Sequence, residues 1–387
     1  MSQTARWIER DEALTRLGVK SQTLYAYVSR QRIAARPDPA NPRRSLYAAA
    51  DVARLTGAET ETLPGVLLAP DEGLARGVPV ASALTTMIDG RLIHRGRDAI
   101  QWAQAATLED TARLLWDARD VRPFDGMAPR LDVLPGTSPR TRLFATLGRR
   151  AQEDPGSTGR AVQDLMTEAA SALNEVVDAV AGMGPRLYFH QRLGRGWKVL
   201  EREQPTIRRA LVLSADHAVD AAALATRVAV GGGASPAAAA MAGMVTLAHG
   251  PAEQGIEAAV AHVQAARRDP GGETERRLAA NGRLPGFGDA AWPRGDPRAA
   301  DLIANAGLPA DLTAIVEHGQ SVSGQSPTLA LALALVARKL DLPREGAVDL
   351  YLIGRLVGLL GHALDQAANG SPIAARLRYV GPLPGAN

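Results

Sequence analysis

The amino-acid sequence predicts a mainly α-helical protein, and three observations lead to this fold class. Hydrophobic residues make up 46% of the 387 residues, whereas aromatic residues contribute only 4%. Stretches rich in Ala and Leu repeat apolar residues three and four positions apart, which is the spacing of one helix face. Strand and helix patterns do not alternate, so a doubly wound nucleotide-binding fold is not expected as the main body. A chain of this length normally divides into two or three domains.

Composition also limits the chemistry and the location of the protein. The chain has no cysteine, which excludes disulfides, thiolate metal sites and a cysteine nucleophile and fits a reducing cytoplasm. The start of the chain lacks the apolar core of a signal peptide. The longest apolar run noted in the second half, residues 329–337, is far shorter than the roughly 20 residues needed to cross a bilayer. We therefore expect a soluble, cytoplasmic protein without a membrane partner.

Positive charge is concentrated at the start of the chain. Residues 1–55 hold ten Arg or Lys and five Asp or Glu, a net charge of +5. The whole chain carries +3, so the remaining residues carry −2. Such asymmetry indicates an end that faces nucleic acid, or else only a solvated surface.

The elements of this first segment are predicted from its helix starts and stops. Residues 11–17 have a short helix pattern that Gly18 ends, and a serine can cap a second helix over residues 21–30. A proline-rich break follows, and then come a short extended segment at 43–47 and a further helix from 51 to 55. The predicted order is helix, tight turn, helix, extended segment and helix.

This order resembles a winged helix-turn-helix of the MerR type and predicts a domain over residues 1–58, followed by a linker rich in Gly, Pro and acidic residues over 59–80. In that resemblance, side chains of the second helix and of the wing would contact the major groove and the phosphates of DNA. These residues are Gln22, Thr23, Tyr25, Arg30, Arg43 and Arg44. The alternative is that the domain only packs on the body of the protein or aids dimerisation.

Beyond residue 80, apolar residues at helical spacing predict a series of helices. The clearest segments are residues 99–106, 108–119, 159–182, 204–230, 236–249 and 327–340. Neither a P-loop nor a Gly-x-Gly-x-x-Gly after a strand is present. The glycines at 231–233 fall between two of these segments, which favours a turn there.

Eight sequence blocks in this helical region, in order between residues 82 and 382, resemble the citrate synthase family. They are Ile88-Asp-Gly-Arg-Leu-Ile-His-Arg-Gly96, Thr107-Leu-Glu-Asp-Thr-Ala-Arg-Leu-Leu-Trp116, Ala215-Asp-His217, Gly250-Pro-Ala-Glu-Gln-Gly255, Pro285-Gly-Phe-Gly288, Asp296-Pro-Arg298, Ile353-Gly-Arg355 and Arg378-Tyr-Val-Gly-Pro382. The resemblance implies the citrate synthase fold, a helical homodimer with a cleft between a large and a small domain. The large domain would comprise residues 81–250 and 341–387, and the small domain residues 251–340.

The family condenses acetyl-CoA with oxaloacetate and then hydrolyses the thioester. The resemblance therefore implies an acyl-CoA substrate, a small carboxylate ligand and no permanently bound cofactor. In the family a carboxylate removes a proton from the acetyl methyl group, one histidine donates a hydrogen bond to the thioester oxygen, and another histidine polarises the ketone. Arginines hold the two carboxylates of oxaloacetate by bidentate pairing.

The residues that would bind the carboxylates match the family pattern more closely than the residues that would take part in the reaction. His217 matches a histidine that contacts the keto acid, and Arg298 and Arg355 match two carboxylate-binding arginines. A third arginine, contributed across the dimer, would fall at Ala374, and the nearby Arg376 is the candidate to replace it. Each also has an ordinary explanation, since buried histidines often satisfy backbone groups and buried arginines often form structural ion pairs.

Three positions depart from the family's catalytic pattern. The family reads Gly-Pro-Leu-His-Gly-Gly where this chain reads Gly-Pro-Ala-Glu-Gln-Gly, so Glu253 stands at the thioester-binding histidine. Asp289 follows a Gly-Phe-Gly at the position of the ketone-polarising histidine, and Ala330 occupies the place of the base aspartate. Ionised carboxylates beside oxygens that gain negative charge raise the barrier. Loss of one general base lowers the rate by about 10²–10⁴.

Two hypotheses from different classes stay open. In the first, Glu253 and Asp289 form a relocated acid and base that share one proton, and the protein is an acyltransferase with an altered substrate or mechanism. In the second, condensation is lost and the protein is a DNA-binding or ligand-sensing regulator, which predicts salt-dependent DNA binding without turnover. A metal site is not expected, because the remaining histidines show no metal-ligand spacing.

Overall fold

The computed structural model describes residues 7–19, 21–29, 33–38, 41–49, 51–52, 80–118, 121–127, 138–185, 187–369 and 371–373. The chain separates into two compact units, residues 1–81 and 82–387. Helices dominate, as the sequence predicts. The predicted helix beyond residue 52 and nearly all of the predicted linker lie outside the described residues.

The first unit combines two helices with a three-stranded antiparallel sheet. Its elements are β1 (Trp7–Ile8), α1 (Arg10–Leu17), α2 (Ser21–Ser29), β2 (Ala35–Asp38) and β3 (Asn41–Ala48). β3 lies between the other two strands and pairs antiparallel with each of them. Gly18 ends α1 in the left-handed conformation that a residue without Cβ favours, with a φ of 64°. The small core consists of Ile8, Ala13, Leu24, Ile33, Tyr47, Ala49 and Val52.

The second unit begins with a three-stranded antiparallel sheet in the order β4-β5-β6. The strands are β4 (Thr85–Ile88), β5 (Arg91–His94) and β6 (Arg97–Asp98). Asp89 and Gly90, with φ of 53° and 77°, turn the chain between β4 and β5. Leu92 and His94 are two residues apart on β5 and are both buried, so they share the inner face of this sheet.

Helices make up most of the rest of the second unit. They are α3 (Ala99–Trp102), α4 (Leu108–Leu115), α5 (Pro139–Glu153), α6 (Val162–Ala181), α7 (Phe189–Gly196), α8 (Gln204–Leu213), α9 (Ala221–Gly231), α10 (Pro236–Leu247), α11 (Pro251–Ala266), α12 (Pro270–Asn281), α13 (Pro297–Asn305), α14 (Ala310–Ser323), α15 (Leu329–Lys339) and α16 (Gly346–Asn369). A 3₁₀ turn over Glu201–Glu203 precedes α8.

Several of these helices begin at the same sequence signal, a capping side chain followed by proline. Ser138, Ser235 and Asp269 each accept a hydrogen bond from a backbone N–H of the first turn, and a proline follows each of them. The capping oxygen satisfies an N–H that has no partner within the helix, and proline has no N–H to satisfy. These local signals explain why the start of α10 at Pro236 agrees with the predicted start.

α16 is the central helix of the second unit, and residues 346–366 are all buried. Among the described residues it is also the helix long and apolar enough to cross a membrane, with a mean hydropathy of 1.4 over Gly346–Ala368. Its most apolar 18-residue window is entirely buried. Its composition therefore reflects burial among other helices.

A smaller apolar core is formed mainly by α11, α14 and α15. It contains Ala259, Val263, Ala266, Leu284, Phe287, Leu312, Ile315, Val316, Leu331, Ala334 and Leu335. All of these residues fall within the range predicted for the small domain. The domain boundaries within the second unit stay a prediction.

One predicted helix is wrong. The apolar spacing of residues 204–230 predicts one continuous helix, whereas the structure has α8 and α9 with a break between them. Ala218 has a φ of 120° in this break, which is incompatible with a helix, and Asp220 then caps α9. The break also contains Asp216 and His217, whose side chains pair with other polar groups and do not continue the apolar face of α8.

Candidate functional site

The break between α8 and α9 places His217 beside the carboxylate that caps α9. Its Nε2 lies 3.2 Å from Oδ2 of Asp220, and its side chain is 26% exposed. Burial, followed by the positive charge of Arg355, lowers the pKa of His217, so the ring is neutral at pH 7. The other ring nitrogen, Nδ1, is buried and has no hydrogen-bond partner among the residues that the structure describes.

Arg355 lies on α16 and is completely buried between two aspartates. Its Nη1 donates to Oδ1 of Asp216 at 2.5 Å, and its Nη2 lies 3.1 Å and 3.0 Å from Oδ1 and Oδ2 of Asp220. Burial alone would lower the pKa of Arg355, but the charges of Asp220 and Asp216 raise it above its usual value. Burial likewise opposes ionisation of Asp220, yet Arg355 and His217 hold the pKa of that carboxyl below its usual range. Arg355 and Asp220 are therefore both charged at neutral pH.

Arg298 lies in the first turn of α13 and is 5% exposed. Its Nε and Nη2 donate to the two carboxylate oxygens of Asp296, at 2.9 Å and 2.8 Å. The guanidinium carbon lies 5.1 Å from the centre of the Trp292 ring, where its charge interacts with the π face. The charges of Arg298 and Arg355 both act on His217. The structure thus brings together the three residues that the sequence motifs predict as a carboxylate-binding set.

Several members of this cluster were not found by sequence reasoning. Asp216 and Asp220 lie on either side of His217 in the sequence. The one sequence feature that could have pointed to Asp220 is its position before an Ala-rich segment, which is typical of a helix cap. His94 on β5 is fully buried, with Nδ1 3.0 Å from the Thr85 hydroxyl and Nε2 without a partner. Burial, helped by Arg298 and Arg355 and opposed by Asp216, lowers the pKa of His94 to about 4. His94 is therefore a neutral member of the cluster at pH 7.

A buried polar network extends from Asp216 into the core. His362 Nε2 lies 3.3 Å from Oδ2 of Asp216. Arg227 on α9 donates from Nε to Nδ1 of His362 at 3.0 Å and from Nη2 to Asp365 at 2.7 Å. Burial opposes the charge on Asp216, but His362 and then Arg355 hold the pKa of this carboxyl well below its usual range. Asp216, one of the two partners of Arg355, is therefore itself held in place by a chain of buried polar contacts through His362 to Arg227.

Glu253, at the predicted position of the thioester-binding group, is buried in an ion pair. It is the third residue of α11 and is 1% exposed. Both of its oxygens accept hydrogen bonds from Arg140 on α5, one at 2.8 Å from Nη2 and a shorter one from Nη1. The backbone N–H of His249 also donates to Oε2, at 2.8 Å. An ionised carboxylate only accepts hydrogen bonds, so Glu253 in this state acts as a helix-start anchor.

Asp289 lies in a different environment from Glu253. It is exposed, and its Oδ1 accepts the N–H of Ala291 at 2.9 Å, as in a local turn. Within the described residues, no hydrogen bond or ion pair joins Asp289 to Glu253. The predicted acid and base therefore do not form a pair that shares a proton in this structure.

The segments that carry Asp289 and Ala330 lie side by side. Phe287 and Pro327 form an antiparallel bridge, and the N–H of Gly288 donates to the Ser326 carbonyl oxygen at 2.9 Å. Ala330 is half-buried and packs against the smaller apolar core of the second unit. Two of the three positions that depart from the family pattern in sequence, Asp289 and Ala330, thus lie on adjacent segments of the fold.

The remaining predicted site residues lie on the first unit or outside the described residues. Gln22 and Arg44 are exposed, Thr23 is partly buried, and Tyr25 is 50% exposed. The prediction that they contact DNA stays a prediction. Arg30, Arg376 and the side chain of Arg43 lie outside the described residues. Within the described part, no three His, Asp or Glu side chains lie close enough together to hold a metal ion.

Comparison with known proteins points to a single family. A family model described as the C-terminal domain of citrate synthase matches residues 118–377. The citrate synthase of Synechocystis sp. is 24% identical over 363 residues, which cover 80% of this chain and 90% of that protein. The citrate synthase of Haloferax volcanii is 24% identical over 361 residues, which cover 79% and 94%.

Solved structures are similar in fold over the same region. The citrate synthase of Thermoplasma acidophilum, in a ternary complex with carboxymethyl coenzyme A and oxaloacetate, has a TM-score of 0.64 at 19% identity and covers 81% of this chain and 96% of its own. The citrate synthase of Thermotoga maritima has a TM-score of 0.62 at 17% identity, with coverages of 81% and 96%. At such identities the likeness establishes the fold.

Proposed function

The chain belongs to the citrate synthase family, and we propose that it has lost the condensation of acetyl-CoA with oxaloacetate. The observation that carries this proposal is the burial of Glu253 in its ion pair with Arg140. The group that stands at the thioester-binding position should donate a hydrogen bond to an oxygen that becomes negative. A buried carboxylate held by Arg140 offers only acceptors there.

The other two replaced positions support the same conclusion. Ala330 has no group that can remove a proton from the acetyl methyl, and loss of a general base lowers the rate by about 10²–10⁴. Asp289 is exposed, and its Oδ1 already accepts the N–H of Ala291 in a local turn. We infer that the relocated acid and base expected from Glu253 and Asp289 do not operate together.

The first test is release of CoA from acetyl-CoA and oxaloacetate, followed with a thiol-reactive chromophore. The chain has no cysteine, so the protein itself gives no thiol background. We expect no release above the reagent blank, with the citrate synthase of Thermoplasma acidophilum as the positive control. Release by the native chain that disappears in both Glu253→Gln and Asp289→Asn would refute the proposal and restore the acid–base pair.

CoA or an acyl-CoA is the small-molecule ligand that we propose for the cleft. The Thermoplasma acidophilum protein was solved with carboxymethyl coenzyme A, and the three replaced positions concern the reacting atoms of the family's chemistry. Titration calorimetry with CoA is the direct measurement, and the absence of binding at millimolar CoA would contradict this ligand.

The second candidate function is a DNA-binding regulator that acts through the first unit. It is favoured by the net charge of +5 over residues 1–55 and by the exposure of Gln22, Tyr25 and Arg44. Fluorescence anisotropy with a mixed-sequence duplex should show binding that weakens at least about tenfold between roughly 50 and 200 mM salt. Arg44→Ala should weaken it further, whereas Arg122→Ala, an exposed arginine of the second unit, should not. No binding at low salt would contradict this candidate.

We also propose that the protein is a homodimer through an apolar surface of α9 and α10. Leu224 and Val228, one helical turn apart on α9, are 39% and 46% exposed, and Val245 on α10 is 53% exposed. The charged residue of these two helices, Arg227, is fully buried, so no charge interrupts this surface. Contiguous exposed apolar residues on packed helices are typical of a subunit interface.

A further inference from the structure

We propose that Asp220 is a resident carboxylate that takes the place of a ligand carboxylate at Arg355 and His217, and that the native pocket therefore excludes dicarboxylates. The inference rests on the proposed loss of condensation and adds a specificity-determining residue to the same site. It concerns binding alone, so it can be tested separately from turnover.

The two terminal nitrogens of Arg355 are bonded to Asp216 and Asp220, whereas its Nε is buried and has no hydrogen-bond partner among the described residues. A guanidinium binds a carboxylate bidentately along one of two edges, Nη1 with Nη2 or Nε with Nη2. Nη2 belongs to both edges, and it lies 3.1 Å and 3.0 Å from the two oxygens of Asp220. Nη1 is already bonded to Asp216 at 2.5 Å. A ligand carboxylate that binds Arg355 bidentately must therefore compete with Asp220 for Nη2.

His217 is occupied by the same carboxylate. A neutral imidazole has one N–H donor and one acceptor nitrogen, and an ionised Asp220 only accepts, so the proton lies on Nε2 at 3.2 Å from Oδ2. The remaining nitrogen, Nδ1, is then an acceptor, which repels a carboxylate oxygen. His217 and Arg355, two of the three residues that match the keto-acid-binding residues of the family, are thus already bound to one internal side chain.

The charge of the cluster also opposes a dianion. Three carboxylates, Asp216, Asp220 and Asp296, face two guanidiniums, Arg298 and Arg355. The charges of these two guanidiniums are thus already balanced by internal carboxylates before any ligand enters. A dicarboxylate would bring two more negative charges into a mostly buried site, where charge interactions are screened less than at the surface.

Asp220 can be neutralised without removing its structural role. It caps α9 by accepting the N–H of Ala223 at 2.8 Å. Asparagine is as good as aspartate at this position of a helix. Asp220→Asn therefore removes the charge and keeps the cap, and Asp220→Ser is a second neutral capping variant.

The experiment is isothermal titration calorimetry of the full chain with oxaloacetate and with malate. We expect no saturable binding by the native chain and binding by Asp220→Asn that is at least about tenfold tighter, which corresponds to about 1.4 kcal/mol. The matched control is Asp301→Asn, which removes one carboxylate from another arginine, Arg209, bonded to it at 2.9 Å and 2.7 Å. This control should behave like the native chain.

Two results would overturn the role of Asp220. One is native binding within about threefold of the Asp220→Asn value, and the other is a folded Asp220→Asn or Asp220→Ser variant that does not bind either ligand. Far-UV circular dichroism establishes that each variant is folded. Release of CoA by the native chain would refute the proposed loss of condensation. Dicarboxylate binding by the native chain within about threefold of the Asp220→Asn value, without CoA release, would refute only the inference on Asp220.

Discussion

Substitution of Arg140 by methionine tests whether Glu253 is a structural anchor. Arg140→Met leaves the carboxylate of Glu253, which is 1% exposed, with the N–H of His249 as its remaining described donor. Removal of one partner from a buried ion pair destabilises a protein by about 3–5 kcal/mol, because the other charge stays buried without compensation. Glu253→Gln removes the charge and keeps one acceptor oxygen, and the Arg140 that it leaves is 17% exposed, so it should destabilise by only about 1–2 kcal/mol.

The measurement is urea unfolding followed by far-UV circular dichroism, with the midpoint and slope recorded for each variant. A double variant, Arg140→Met with Glu253→Leu, should recover most of the loss, since it replaces both charges by apolar groups. Arg122→Met is the control, because Arg122 and Asp125 form an exposed pair at 3.8 Å that should contribute nothing measurable. A loss below about 1 kcal/mol in Arg140→Met would refute the structural role of Glu253 and, with it, the main support for lost condensation.

Three further outcomes are expected. Asp349 is fully buried, neither of its oxygens accepts a hydrogen bond, and burial, reinforced by Glu345, raises its pKa to about 7 from 3.8. The stability that the protonated Asp349 carboxyl contributes is therefore complete below about pH 4 and lost as pH rises through about 7. Asp349→Asn should raise the urea midpoint more at about pH 8 than at about pH 5. Equal increases of the midpoint at both pH values would contradict this prediction. Val228→Arg should yield a monomer in size-exclusion chromatography with light scattering, because it places a charge in the proposed apolar interface; a native-sized dimer would exclude that surface. Gly286 has a φ of 84°, and an added Cβ would lie 2.8 Å from Cβ of Leu331, so Gly286→Ala should destabilise by about 1–3 kcal/mol in the same unfolding assay, and no change would contradict the strain.

Local signals explain which helices could be predicted from the sequence. α10 follows a Ser-Pro start and has no tertiary interruption, so its predicted and observed starts agree at Pro236. The break between α8 and α9 could not be predicted, because the apolar spacing of residues 204–230 continues across it. The break exists because Asp216 must reach Arg355, which is 139 positions away in the chain. Apolar periodicity is assessed over roughly 11–18 neighbouring residues, so it cannot reveal a partner that lies so far along the chain.

The same limit applies to the candidate site. Motifs identified His217, Arg298 and Arg355 as a set, and the structure places them in one electrostatic cluster. The sequence did not reveal that an internal aspartate occupies two of them. Nor did it reveal that Glu253 pairs with Arg140, which is 113 positions away. Residue types at motif positions indicate what a site descends from, whereas the partners of those residues decide what the site now does.

The ion pairs of α16 also set the position of that helix along its own axis. Arg355, His362 and Asp365 are seven and three residues apart, so they lie along one stripe of the helix. A slide of one turn, about 5.4 Å, would separate Arg355 from Asp216 and both other residues from Arg227. Apolar side chains alone tolerate exchange of similar volumes, so they would resist such a slide weakly. The same charges oppose transfer of this helix into lipid, where one unpaired Arg or Asp costs roughly 2.5–3.5 kcal/mol or more. The few polar residues of α16 therefore determine both its register and the medium in which it is stable.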